Sequence, residues 1–218
     1  MTHLAFLGGT GPEGRGLATR FADSGYTVVI GSRNLEKSRN VASKISTKTN
    51  SEVVGATNLD AANTGDIIFI TVPYEAQKKL LNTVEISLRD KIVVSTVSPI
   101  RMRKDAELIK VREGSAAEQA QRLLPHSKIV AAFHHVSATH LLKRMHILSG
   151  DVIVSSNCPS AKDTILQLTK NIPNLRAIDG GMLQNARYLE SLTPLLINLN
   201  RSYKVNSSIR LDGLSITD

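Results

Sequence analysis

The chain has no tryptophan, one cysteine, and only 4% aromatic residues in its 218 positions. A lone Cys158 excludes an internal disulfide framework. The scarcity of rings, with no block alternating basic residues with Tyr or Phe, argues against a protein that stacks the bases of single-stranded nucleic acid. Long apolar runs are missing too. A stretch such as Ile67-Ile68-Phe69-Ile70 is strand length, well short of the roughly 18–20 residues that span a bilayer. Met1-Thr2-His3-Leu4 places no basic region before its short apolar stretch, so no secretory signal is expected. Neither a membrane nor a nucleic acid is an expected partner, and the cytoplasm is the expected compartment.

What is present is the composition of an ordinary folded protein, 41% hydrophobic and 21% charged. Lys and Arg number 27 against 19 Asp and Glu, a formal charge of +8 that draws anions, among them phosphorylated or carboxylated small molecules. The apolar pattern alternates. His3 to Leu7 reads as a buried strand, Leu17, Ala18, Phe21 and Ala22 fall at helical spacing, and Thr27 to Ile30 is a second strand. Asn34 caps a following helix, and Asp66 to Val72 and Lys91 to Ser95 are further strands, with a helix from Glu75 to Leu88 between them. Strands at Lys128–Ala132, Asp151–Ser155 and Leu175–Ile178 follow, and a long helix is expected from Met182 to about Tyr203. Continuous apolar strands alternating with helices predict an α/β protein of Rossmann type, its mostly parallel sheet covered on both faces. The expected division is a nucleotide-binding domain over residues 1–125 and a smaller C-terminal lobe with the long helix over residues 126–218.

The first turn carries the chemistry. Gly9-x-Gly11-x-x-Gly14 matches the dinucleotide fingerprint and sits between a strand and a helix, as its mechanism requires. Gly9 permits the tight turn, Gly11 lets backbone N–H groups approach a pyrophosphate, and Gly14 lets helix and sheet pack closely, with Thr10, Pro12 and Glu13 completing the cradle. The phosphates then rest on the positive end of a helix. The second strand ends Gly31-Ser32-Arg33, without the carboxylate that bonds the ribose 2′-hydroxyl of NAD. Arg33, Ser32, Lys37 one helical turn on, and Thr10 across the turn instead suit a 2′-phosphate, so the expected cofactor is NADP.

Read together, Gly8-Gly9-Thr10-Gly11, Gly31-Ser32-Arg33, Thr71-Val72-Pro73, Ser115-Ala116-Ala117-Glu118 and Glu190-Ser191-Leu192-Thr193-Pro194-Leu195 resemble, in order and spacing, the coenzyme F420-dependent NADP oxidoreductases. The resemblance implies reversible hydride transfer between NADP(H) and the deazaflavin F420, in a cleft holding both rings. It implies that Thr10, Ser32, Arg33 and Lys37 bind the 2′-phosphate and that Thr71, Val72 and Pro73 lie beside the nicotinamide half. His134 and Val136 would line the ring-stacking site, and Ser191 and Thr193 would help form the deazaflavin pocket. The chain departs from the family pattern at His134-His135-Val136-Ser137-Ala138, at Ser156-Asn157-Cys158-Pro159, and from Asn206 to Asp218.

Hydride transfer between two cofactors asks little of side chains beyond position. The sequence fits that economy: it has no Ser–His–Asp order worth defending, no metal-spaced Cys/His cluster and no paired catalytic carboxylates, so neither acid/base catalysis nor a metal is expected. The basic stretch Arg101, Arg103, Lys104, Lys110 and Arg112 is either a solvated loop or a rim that draws in an anionic cofactor tail. Arg187 is read three ways: serving the pocket, pairing with Glu190, or pairing with a neighbouring subunit. Leu189, Leu192, Leu195, Leu196 and Leu199 cover more of the last helix than one narrow stripe, which predicts a homodimer through it. Two other functions share the scaffold: reduction of a small imine, flavin or ferric substrate by NADPH, and NADP sensing without catalysis.

Overall fold

A computed structural model of the chain describes residues 2–214. Met1 of the N-terminal reading and residues 215–218 of the divergent C-terminal segment lie outside the described residues.

The expected alternation takes shape as β1 (His3–Leu7), α1 (Pro12–Asp23), β2 (Thr27–Ser32), α2 (Leu35–Thr49), β3 (Val53–Thr57), α3 (Asn58–Thr64), β4 (Ile67–Ile70), α4 (Tyr74–Val84) and β5 (Ile92–Ser95). A short hairpin follows, β6 (Ile100–Met102) and β7 (Ala106–Leu108), in the stretch where the sequence pattern is weakest. The chain ends with α5 (Ala116–Leu123), β8 (Lys128–Ala131), α6 (Ala138–Leu142), β9 (Gly150–Ser156), α7 (Pro159–Lys170), β10 (Leu175–Asp179) and α8 (Ala186–Tyr203). Two helices are shorter than read. The helix after Pro73 stops at Val84, with a separate 3-10 turn at Ile86–Leu88. The last helix is preceded by a 3-10 turn at Leu183–Asn185, tied down where the Leu183 N–H donates to Asn157 Oδ1 and Asn185 Nδ2 donates to the Gly180 carbonyl.

Eight strands form one sheet in the order β10-β9-β8-β5-β4-β1-β2-β3. All its pairings are parallel except β8 with β9. The boundary expected at residue 125 falls between α5 and β8, and the sheet runs across it, with Ile92 of β5 opposite Lys128 of β8. From β1 the chain winds out to β3, then returns to the other side of β1 to lay down β4. That reversal opens a crevice at the carboxyl ends of β1 and β4, the place where open α/β sheets bind ligands.

The sheet separates two apolar layers, and β1 shows why its residues are continuously hydrophobic. Leu4 and Phe6 face one layer and Ala5 and Leu7 the other, all fully buried. The four phenylalanines of the chain form one cluster under α1. Phe6 stacks on Phe69 at 4.6 Å between centroids, and Phe21 meets Phe133 edge-on at 6.2 Å. Aromatic pairs of this kind contribute about 0.5–1.5 kcal/mol beyond the area they bury.

Long-range polar ties lock the loops. Arg20 of α1 is buried and donates to the carbonyls of Leu141, His140, Lys143 and His146, at 2.7–3.1 Å. Desolvation lowers its pKa, and Asp23 opposes that shift. One guanidinium thus clips the segment around α6 against α1. Ser115 caps α5: the Glu118 N–H donates to Ser115 Oγ, which in turn donates to Glu118 Oε2. Two further N–H groups of α5, at Ala116 and Ala117, donate at 2.7 and 2.9 Å to the buried carboxylate of Glu190 on α8. Burial pushes Glu190 up to about 7, against the pull of those two N–H groups. Glu190→Gln leaves one of these N–H groups facing an amide NH2 with no acceptor, and the other with a neutral one, and is expected to lower stability by about 1–2 kcal/mol, read from urea unfolding.

Candidate active-site cleft

The turn after β1 is held rigid before any ligand arrives. Gly8 has φ +76°, a conformation L side chains avoid, and its N–H donates to Asn58 Oδ1 on α3. The Gly9 N–H donates to the carbonyls of Phe6 and Gly31. A Cβ on Gly9 would stand 2.7 Å from the Phe6 carbonyl oxygen, and one on Gly14 would stand 2.6 Å from Gly9 Cα. These two glycines are therefore spent on packing. Gly11 differs: its nearest neighbours would be Gly8 O at 3.6 Å and Thr71 O at 3.9 Å, an ordinary contact distance. The protein's own atoms leave the space over the start of α1 open, which fits a pyrophosphate. Gly11 is also the N-cap and offers no side-chain acceptor to the first-turn N–H groups.

At the end of β2, Ser32 is buried and accepts from the Asn34 N–H, while Arg33 and Lys37 are exposed. Neither cation forms an ion pair among the described residues. Asn34 caps α2 through the Lys37 N–H, which fixes the height at which Lys37 leaves the helix. Thr10 is part-exposed in the turn opposite.

Beside the start of α1 lies a cavity of about 490 Å³, within the range of small-molecule clefts. Its walls come from Glu13 at the start of α1, Thr96 and Ser98 after β5, Ile100 of β6, Phe133 to Thr139 after β8, Thr193 to Arg201 along α8, and Asn206 and Ser207 beyond that helix. Phe133 has φ +68°, strained for a bulky residue, where the chain turns to present His134 and Val136. His134 is buried with neither ring nitrogen hydrogen-bonded to the protein. Desolvation, and then the neighbouring His135, push its pKa down to about 3, so the ring is neutral. His135 acts structurally instead, its Nε2 bonding the Leu189 carbonyl at 2.7 Å and joining this wall to α8. Thr193 Oγ1 donates to the His134 carbonyl and shares a hydrogen bond with Ser98 Oγ at 2.8 Å. Thr71, Val72 and Pro73 lie between β4 and α4 at the rim of the turn, with Thr71 Oγ1 donating to the Leu7 carbonyl.

Of the residues expected in the ring site, the structure brings His134, Val136 and Thr193 to one cavity together with Glu13. Ser191 is outside that lining, and its hydroxyl donates to the Tyr188 carbonyl of its own helix. Arg187 serves neither the pocket nor Glu190. It forms a two-pronged ion pair with Glu118, at 2.6 and 2.8 Å. Asn58, Ser98, Arg201, Asn206 and Ser207 carry no signal in the sequence, because their positions depend on contacts distant along the chain.

A doubly wound, mostly parallel sheet, a glycine turn open over a helix start, and a cavity beside it define a Rossmann-type nucleotide-binding protein. Comparison with known proteins makes the class specific. The family described as NADP oxidoreductase, coenzyme F420-dependent, matches residues 3–99. The F420-dependent NADP reductase of Methanothermobacter thermautotrophicus is 40% identical, over 97% of this chain and 95% of that protein. Its counterpart in Methanocaldococcus jannaschii is 36% identical, over 98% and 99%. A crystal structure of a candidate F420-dependent NADP reductase from Arthrobacter sp. FB24 superposes with a TM-score of 0.83 at 26% identity, covering 95% of this chain and 98% of that one. The chain belongs to the F420-dependent NADP reductase family. Among the described residues, no helix is long and apolar enough to cross a membrane.

Proposed function

We propose that the chain transfers a hydride reversibly between NADP(H) and the deazaflavin coenzyme F420. The observation that carries this reading is a cavity of about 490 Å³ that brings His134 and Val136 together with Glu13, the residue that follows the open glycine turn at the start of α1. When bound, the cofactors supply the donor and acceptor carbons of the transfer.

The chain's own residues bind, orient and exclude water. The N–H groups of Glu13 and Gly14 take the pyrophosphate beside Thr10, Gly11 and Pro12. Ser32, Arg33, Lys37 and Thr10 take the 2′-phosphate. Thr71, Val72 and Pro73 border the nicotinamide half. His134, whose ring nitrogens have no partner in the protein, is the neutral hydrogen-bonding group for a ring, and Val136 acts by shape. Thr193 positions the His134 backbone. The described residues up to 125 hold the nucleotide, and residues 126–214 complete the cleft on the same sheet. The exposed basic residues of the β6–β7 hairpin form a cationic rim beside α8, where Arg201 Nη1 donates to the Lys104 carbonyl.

The decisive experiment mixes the purified chain with NADPH and F420 and follows the visible absorbance of the deazaflavin. Bleaching with NADPH, and little with NADH, is expected. No change in either direction by a folded protein overturns the reading. We also place the protein in the cytoplasm as a homodimer, its copies meeting through the face of α8 that exposes Leu195, Leu199 and Tyr203. Light scattering that returns the mass of one chain overturns the pairing.

A further inference from the structure

The cleft holds one acid that hydride transfer by itself does not require. Glu13 is the second residue of α1 and lines the ring cavity. Its Oε1 is shielded from solvent and has no hydrogen-bond partner. A carboxylate at a helix start is ordinarily favoured by the helix dipole. Desolvation acts in the opposite sense and is larger here, pushing the Glu13 carboxyl up to about 8. Among the described residues no cation pairs with it.

The other titratable or charged groups of the cavity are His134 and His135 after β8 and Arg201 on α8, while the wall after β5 brings the hydroxyls of Thr96 and Ser98. Arg15 is the nearest charged residue along α1 itself. Burial keeps both histidines below their usual range, and Arg201 is engaged by the Lys104 carbonyl. At neutral pH the cavity therefore contains a neutral carboxyl and neutral imidazoles.

We propose that Glu13 matches the charge of the nicotinamide ring, keeping its proton beside the reduced, neutral ring and releasing it beside the oxidised, positively charged one. This rests on the reading that the cleft takes the nicotinamide. The step is balanced simply: the carboxyl O–H bond breaks, the proton leaves to solvent, and no electrons move. The pyrophosphate and 2′-phosphate are common to both nucleotides and cancel in the comparison, whereas the ring charge does not. An opposite charge within about 4–6 Å favours the ionised carboxyl by about ten- to a thousandfold. Two-electron reduction of a deazaflavin takes up one hydride and one proton. That proton is taken from solvent, and the one that Glu13 sheds as the nicotinamide is oxidised returns to solvent, so the two offset in the bound complex.

Calorimetric titration of NADP⁺ and of NADPH into the intact chain, in buffers of different ionisation enthalpy, counts the protons. At pH 7, NADP⁺ is expected to release roughly 0.4–0.9 of a proton more than NADPH, the span that a ten- to thousandfold preference for the ionised carboxyl gives. Affinity for NADP⁺ relative to NADPH should then rise with pH, by up to about tenfold per unit between pH 6.5 and 8. Glu13→Gln should remove both the difference in release and the slope. Equal proton counts for the two nucleotides in the native chain overturn the proposal and leave the cleft assignment standing. A native difference that survives in Glu13→Gln also overturns it. Failure of either nucleotide to bind overturns the cleft assignment and the proposal with it.

A second readout needs no cofactor. A carboxyl whose folded pKa lies above its unfolded value costs stability as it ionises, so the apo chain should lose stability as pH rises from 4.5 through about 8. Glu13→Gln should accordingly raise the melting temperature at pH 8.5 and leave it unchanged at pH 4.5. Equal melting temperatures for the two proteins at both pH values overturn the proposal.

Discussion

Arg33→Asp is expected to weaken NADPH binding by about 30- to 150-fold, or about 2–3 kcal/mol, while NADH binding changes by less than about threefold. The selectivity follows from where Arg33 stands. It comes directly after Ser32, the last residue of β2, where an NAD-binding unit would carry an acid to its ribose. Arg33 is exposed and forms no ion pair among the described residues, so its guanidinium is available to a doubly charged phosphate. Aspartate removes that charge-assisted bond and adds repulsion against the 2′-phosphate, which NADH lacks. Because the site is exposed, the discrimination should shrink as salt rises and the Debye length falls below about 8 Å. Parallel titrations with both nucleotides at low and high salt check this. An equal loss for NADH and NADPH would move Arg33 out of the 2′-phosphate site.

The parts of this fold that are legible in the sequence are those set by near neighbours. Strand β1 has no polar interruption from Leu4 to Leu7 because both its faces are buried, and the turn glycines follow it at once. The caps Asn34 and Ser115 act three residues ahead, within one helical turn. What cannot be read are pairings fixed only once the sheet has closed. Asn58 holds the Gly8 N–H across 50 residues, Glu190 holds α5 across 74, and Arg20 clips the α6 segment across 121. Arg187 has Glu190 close in sequence, yet pairs with Glu118 because Glu190 points inward to the start of α5. The β6–β7 hairpin shows no period because its strands are three residues long and mostly exposed. Asn198 on α8 secures it, bonding both the N–H and the carbonyl of Ala106. Glu13 looks like one more polar residue of a phosphate turn. The shielding of its Oε1 comes from a cavity whose far wall is laid down about 120 residues later in the chain by His134 and its neighbours.

The glycine turn allows stability and binding to be separated by two substitutions three residues apart. In Gly14→Ala the new methyl stands 2.6 Å from Gly9 Cα and 2.7 Å from Thr71 Oγ1, so the start of α1 must move away from the turn. Stability should fall by on the order of 3 kcal/mol, the upper end for overpacking against backbone. NADP(H) affinity should fall by on the order of 10³, the loss of two N–H bonds to a charged phosphate. Gly11→Ala is predicted to behave differently. Gly11 has φ −74° and ψ 168°, which any residue adopts, and its added methyl meets nothing closer than 3.6 Å. The apo protein should therefore unfold at nearly the same urea concentration as the parent. Its methyl nonetheless occupies the space over the helix start that a pyrophosphate needs, so affinity should fall about as far as in Gly14→Ala. Urea unfolding without ligand, followed by nucleotide titration, gives both quantities for both variants. A Gly11→Ala protein that binds NADPH like the parent would place the pyrophosphate elsewhere. The openness at Gly11 would then be a feature of packing alone, and the direction from which both rings enter the cleft would have to be redrawn.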